Sequence, residues 1–215
     1  MPGESKEQFL SRVREALGTR GEPVDLPADL ELARVIRPDQ DLAAVFAARA
    51  EEAKMHVHRV VGEDGLVDKI MSLLEEVEAK RVVVPDEAGM PARQRIVGRI
   101  QEQGLTLCDG DNLDALFSVD VGITGVRAAI AETGSLCLTS GNGRRRLASL
   151  AVPTHIAIVL TSQIVPDLID WAAARPADRP ASEVLVSAPS KTADIELALV
   201  MGVHGPKTEH IILVG

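Results

Sequence analysis

Four stretches of the chain combine residue types and spacings from which a site could be made. In "IAETGSLCL", Glu132 lies among Ala131, Thr133, Gly134 and Ser135, a composition suited to a tight turn between apolar segments. A carboxylate held on such a turn beside a pocket can serve as general acid or base or as a nucleophile, with Gly134 and Ser135 next to it for an anion; it can equally be a turn-stabilising residue. In "TSGNGRRRLASLAVPTH", Gly141 and Gly143 precede Arg144, Arg145 and Arg146. Guanidinium forks match phosphate and carboxylate geometry, and glycines let a backbone come close to a ligand, although a run of charges can also be a solvated loop. In "SAPSKTADIE", Ser190 or Thr192 is placed to cap a helix over "TADIELALVM", and Lys191 adds a cation to an end that favours anions. One cap needs one hydroxyl, so Ser190, Lys191 and Thr192 together point to an anionic group. The order is not that of a P-loop, and ATP is not implied. In "GVHGP", Gly202 ends that helix, Gly205-Pro206 turns the chain, and His204 between them is a general base, a metal ligand or a structural histidine.

The working loops of an open α/β sheet leave the carboxyl ends of its strands. All four stretches are expected there, around one cavity that accepts negative charge. The elements that must hold them begin at Asp41: helix "DLAAVFAARAEEAK", strand "HVHRVV", helix "GLVDKIMSLLEEVEAK", strand "RVVVP", helix "PARQRIVGRIQEQG", then strands "LTLC" and "SVDVGIT". Short apolar strands "SLCLT", "HIAIVL", "VLVSA" and "HIILV" follow. Strands alternating with helices of this length require crossovers, so the class is α/β, a mostly parallel open sheet flanked by helices. Strands crowd together between residues 118 and 160, which predicts an antiparallel or mixed portion. Ahead of this domain, residues 41–215, lies an N-terminal helical extension, residues 1–40. Phe9, Val13, Ala16 and Leu17 fall at helical spacing between a cap at Ser5 and a stop at Gly18, and a linker with Pro23, Pro27 and Pro38 leaves that helix able to dock on its own domain or on a neighbour.

Composition removes several function classes. The 46% hydrophobic content of 215 residues supports one substantial core. Lys and Arg total 23 against 32 Asp and Glu, and the resulting charge of −9 repels nucleic-acid backbones and acidic membranes. Aromatic residues make up 2% with no Tyr, leaving little on which bases could stack. Cys108 and Cys137 form neither a disulfide framework nor a cluster motif and are read as reduced thiols. His56 and His58 share one strand face without a third ligand, so no metal is expected, and nothing calls for a cofactor. His155 and His210 begin strands and are structural or functional alike. The charged N-terminus and the lack of any run near ~20 apolar residues predict a cytoplasmic protein with no membrane contact.

"VGITGVRAAIAETGSLCL", "GNGRRRLASLAVPTHIAIV" and "PSKTADIELALVMGVHGP", in this order, resemble the lactate-utilisation protein C family, the LUD domain proteins, over roughly residues 40 to 215. The resemblance implies a fold like that of sugar-phosphate isomerases, glucosamine-6-phosphate deaminase and coenzyme A transferases. It also implies a place in a cytoplasmic multiprotein system that oxidises L-lactate to pyruvate, whose iron-sulfur subunits would be partners. With two cysteines this chain would be the accessory member and not the electron carrier. Ala188 stands where the family often has the glycine of Gly-Pro-Ser, which narrows the backbone's approach to a ligand. "AETG" is similar to the Ser-Glu-Asn-Gly of coenzyme A transferases, where the glutamate is the nucleophile, and Glu132 inherits that candidacy. The expected function is an accessory protein of lactate utilisation with a pocket for a small anionic metabolite, possible as a homo-oligomer. The alternatives are an isomerase or transferase acting on a sugar phosphate or acyl-coenzyme A, or a non-catalytic assembly subunit.

Overall fold

A computed structural model describes residues 5–18, 34–37, 39–87, 89–110, 112–141, 146–175, 180–193, 199–202 and 204–215. The chain divides into two compact units, 1–34 and 35–215. The first holds α1 (Lys6–Leu17), opened by a reciprocal capping box in which the Ser5 hydroxyl accepts from the Gln8 N–H and the Gln8 side chain accepts from the Ser5 N–H. Two otherwise orphaned donors are satisfied in this way. Phe9, Leu10, Val13 and Leu17 of this helix are exposed.

The second unit opens with α2 (Leu42–Glu52), capped by the Asp41 carboxylate, then β1 (His56–Val60), α3 (Gly62–Glu76), β2 (Arg81–Val83), α4 (Arg93–Glu102) and β3 (Thr106–Cys108). It continues with α5 (Leu113–Leu116), β4 (Val121–Gly125), β5 (Ala128–Ile130), β6 (Ser135–Ser140), α6 (Leu147–Leu150) and β7 (Thr154–Leu160). The last elements are β8 (Ile164–Val165), α7 (Leu168–Ala173), β9 (Ser182–Val186), β10 (Lys191–Ala193), β11 (Leu199–Met201) and β12 (Thr208–Val214). Six strands form one sheet in the order β1-β12-β7-β4-β2-β3, every pair parallel. A second sheet, β8-β5-β6-β9, is mixed, with β5 antiparallel to β6 and parallel to β8. The class is α/β as the alternation requires; of the mixed sheet, β5 and β6 lie within residues 118–160 as expected, while β8 and β9 come from beyond that stretch and β4 and β7 within it join the parallel sheet.

A parallel sheet covered on both faces reads as continuous apolar runs. "VGITG" in β4 is buried at every position, and β7 at all but its last. On one face Val82, Val121, Ile123, Ile156, Ile158 and Ile212 pack with Leu66, Ile70 and Leu74 of α3 and Ile96 and Ile100 of α4. On the other, Ala157, Val159, Ile211 and Leu213 meet Phe46, Ala47 and Ala50 of α2 and Ala129, Leu136 and Leu138 of the small sheet. The backbone of α6 lies directly against β4, since a Cβ on Gly122 would fall 1.8 Å from the Ala148 carbonyl oxygen.

One expected element is different. The helix over 192–201 is not formed: β10 and β11 pair antiparallel, Lys191 opposite Met201, and 194–198 lie outside the described residues. Ser190 and Thr192 therefore precede no helix among the described residues. The alternation Ile195, Leu197, Leu199, Met201 satisfies a strand as well as a helix, and Ser190 is tied by backbone hydrogen bonds to Gly202 and Pro206, which folds the segment back on itself. No helix among the described residues is long and apolar enough to cross a membrane.

Candidate functional site

The strand order reverses at one place in the main sheet. From β2 the chain passes through α4 to β3 on one side, then returns to β4 on the other. Ligands of open α/β sheets bind in the crevice beyond the carboxyl ends of the strands at such a reversal. Here that crevice is nearly closed, a cleft of about 10 Å³ holding Glu87, four residues after β2, and Thr124 and Gly125, the last two residues of β4. Its walls are Arg127, Leu138, Thr139, Arg146 and Ser149. Glu87 is 5% exposed, and its carboxylate accepts a hydrogen bond from the Gly125 N–H at 3.1 Å.

Behind Thr124 runs a buried chain of polar groups. The Thr124 hydroxyl is 2.9 Å from His155 Nε2, and His155 Nδ1 is 2.5 Å from a carboxylate oxygen of Glu209. The three residues come from neighbouring strands β4, β7 and β12: His155 is registered against Glu209 on one side and Gly122 on the other, and Thr124 lies two residues along from Gly122 on the same face. His155 and Glu209 have no solvent exposure and Thr124 has 5%. A carboxylate only accepts, so it keeps the imidazole proton on Nδ1 and leaves Nε2 to accept from the threonine. Burying such groups is costly unless they satisfy one another, and the second oxygen of Glu209 is buried without a hydrogen-bond partner. The outer end of the chain, Thr124, opens on the cleft.

A second network braces the wall. Arg127 pairs with Glu183 at 2.5 Å and donates to the Ala174 carbonyl, and Arg175 pairs with the same carboxylate at 2.6 Å while lying over the Trp171 ring. Burial pushes the Glu183 carboxyl up, but hydrogen bonds from Arg175, Cys137 and Arg127 outweigh it and hold the group below the usual carboxylate range. Burial also raises the Cys137 thiol. The guanidinium of Arg127 is thus committed to the wall.

The family model of the LUD domain matches residues 43–214. The chain belongs to the LUD domain family. It is 33% identical to the lactate utilization protein C of Deinococcus radiodurans, over 99% of this chain and 96% of that protein, and 31% identical to the protein of the same name from Halalkalibacterium halodurans, over 94% of each. The Bacillus subtilis protein of that name is 28% identical over 98% of this chain and 96% of its own. The crystal structure of a DUF162 family protein from Deinococcus radiodurans superposes with a TM-score of 0.59 at 26% identity, covering 81% of this chain and 96% of that one.

Within this LUD domain the residues singled out by their spacing fall in three places. Glu132 to Ser135 form the turn between β5 and β6: the Glu132 N–H donates to the Pro166 carbonyl, and the Ser135 hydroxyl meets those of Thr133 and Ser187, each at 2.7 Å. Gly134 there, at φ +65°, is pressed against α2, where a Cβ would sit 2.5 Å from the Ala50 nitrogen. Arg146 lines the cleft, as does Thr139 near the far end of β6, about 13 Å from the turn at ~3.3 Å per strand residue. Arg144 and Arg145 lie outside the described residues. Ser190, Lys191, Thr192 and His204 form the third group. The Ser190 hydroxyl accepts from the His204 N–H at 3.2 Å, and Thr192 is in β10.

The expectation that all four stretches leave carboxyl ends is therefore corrected. "GVHGP" leads into the amino end of β12, where His204 borders a cavity of about 510 Å³ with Phe117, Leu147, Leu150, Val152 and Lys207. Neither Glu132 nor Ser190 is among the residues of the cleft. Spacing alone missed Glu87 and Glu209, took Thr124 and Gly125 only as the lead into the "IAETGSLCL" stretch, and left His155 undecided. The available signal was a polar residue inside each apolar run, "VGITG", "THIAIVL" and "TEHIILV". Among the described residues no group of three or more His, Cys, Asp or Glu is arranged to hold a metal ion.

Proposed function

We propose that this chain serves lactate utilisation as an accessory protein that binds a small anionic metabolite in the cleft beyond β2 and β4. The observation that carries this reading is that Arg146, Thr124, Ser149 and Glu87 line one cleft at the strand-order reversal. A guanidinium recognises a carboxylate, and a buried carboxylate such as Glu87 accepts from a hydroxyl, so the pair suits a small hydroxy acid. The names of the full-length relatives support lactate as the pathway. The iron-sulfur subunits of a lactate-oxidising system are the proposed protein partners, and the exposed apolar residues of α1 are the surface offered to them.

Thermal denaturation with L-lactate and with pyruvate tests the cleft. A ligand at 100 times its Kd adds about 2.7 kcal/mol and raises Tm by several degrees. Arg146→Ala should lose that shift, and Glu132→Gln distinguishes the two ends of β6. Retention of the shift in Arg146→Ala together with its loss in Glu132→Gln would move the site to the β5–β6 turn. Absence of any shift with either acid in the unaltered protein would remove the proposed ligand class.

A further inference from the structure

We propose that Thr124 is the nucleophile of an acyl-transfer site, activated by His155 and Glu209. The inference rests on the cleft being the ligand site and adds a reaction to it. In hydroxyl nucleophiles activated by histidine, the ring nitrogen facing the hydroxyl takes its proton, and the other nitrogen is held by a carboxylate that orients the ring and steadies the imidazolium. Thr124 Oγ, His155 Nε2, His155 Nδ1 and Glu209 Oε1 stand in that order at 2.9 and 2.5 Å. The remaining requirement is a donor for the oxyanion. The N–H of Gly125, one residue beyond the hydroxyl, donates at 3.1 Å to a carboxylate oxygen of Glu87 in the cleft, so it is already aimed at a negatively charged oxygen. Thr124, 5% exposed, is the member of the network that lines the cleft.

The substrate class is an activated acyl group, a thioester or a reactive ester of a small acid. Thr124 Oγ bonds to the carbonyl carbon while its proton passes to His155 Nε2. The oxyanion replaces Glu87 at the Gly125 N–H. The bond from carbon to the leaving sulfur or oxygen then breaks, and the leaving group takes the proton from His155. Water, or a second acceptor hydroxyl or thiol, attacks the acyl-threonine, gives its proton to His155, and the threonine oxygen recovers it. No oxidant or reductant is involved.

The full-length protein incubated with p-nitrophenyl acetate provides the test, read as p-nitrophenol release and as an acetyl adduct located by peptide mass spectrometry. The expected result is an adduct on Thr124, retained in Thr124→Ser and absent in Thr124→Val, with release slowed about 100-fold or more in His155→Gln, the usual contribution of a general base. Glu87→Ala, which uncovers the Gly125 N–H, should accelerate acylation. Thr124→Val differs from the native residue by one hydroxyl, so it keeps the protein folded if His155→Gln does not. No adduct in the unaltered protein, an adduct on another residue, or equal acylation of Thr124→Val overturns the proposal. Acylation is read without lactate or pyruvate, so loss of the thermal shift in the unaltered protein would refute the ligand reading and leave this result standing.

Discussion

At the scale of residues, His210 shows how neighbours decide a charge. It is 6% exposed, its Nδ1 lies 3.1 Å from His58 Nε2, and its ring stacks 5.0 Å from that of His56. Burial first, then His56, His58 and Lys69, push its pKa down to about 4. His58 is lowered too, by burial, Lys69 and His56, against the opposing pull of Glu76. The unfolded chain, with histidines near 6.5, then binds protons that the native state refuses. The stability linked to His210 is complete above about pH 6.5 and lost as pH falls toward about 4, on the order of 3 kcal/mol across that window. Urea unfolding of His210→Gln between about pH 7 and about pH 4 should show a shallower acid limb than the unaltered protein; limbs of equal slope would contradict this. The shared face of His56 and His58 is legible from their two-residue spacing. The third ring, on β12, is not, because 152 positions separate it from His58.

At the scale of elements, the β5–β6 turn is held by its glycine and not by its glutamate. Gly134 combines a left-handed backbone with a Cβ position already filled by the backbone of α2 at Arg49 and Ala50. Gly134→Ala should cost more than about 2 kcal/mol, measured by urea unfolding at neutral pH, because strain and overlap act together. A cost under about 0.5 kcal/mol, the range of ordinary surface changes, would mean that α2 yields to the turn. The starts of α1 and α2 follow from side-chain caps and apolar spacing that are entirely local. The pairing of β10 with β11 does not, since the apolar residues of "TADIELALVM" suit both periods; beside it the Gly202 N–H donates to the Ser190 carbonyl and the Ser190 N–H to the Pro206 carbonyl.

At the scale of the whole molecule, a charge of −9 repels nucleic-acid backbones, and the N-terminal unit is the part proposed above to meet protein partners. α1 is stabilised from within by its capping box yet leaves Phe9, Leu10, Val13 and Leu17 exposed, as a helix that docks by its apolar face would. Removing residues 1–34 should abolish co-purification with the iron-sulfur subunits while leaving the thermal shift with lactate or pyruvate intact. Undiminished co-purification would place the contact elsewhere.

The sequence by itself determined the α/β class, the elements of the first half and the N-terminal helix, because periodicity and caps act over a few residues. It also marked Arg146 as a ligand contact worth testing. Only the tertiary structure decided which strands are neighbours. That order, β4 beside β7 beside β12, joins Thr124, His155 and Glu209 across gaps of 31 and 54 residues. Each is a polar residue in a largely apolar strand, and burying it costs less once a hydrogen-bond partner from a neighbouring strand is in reach.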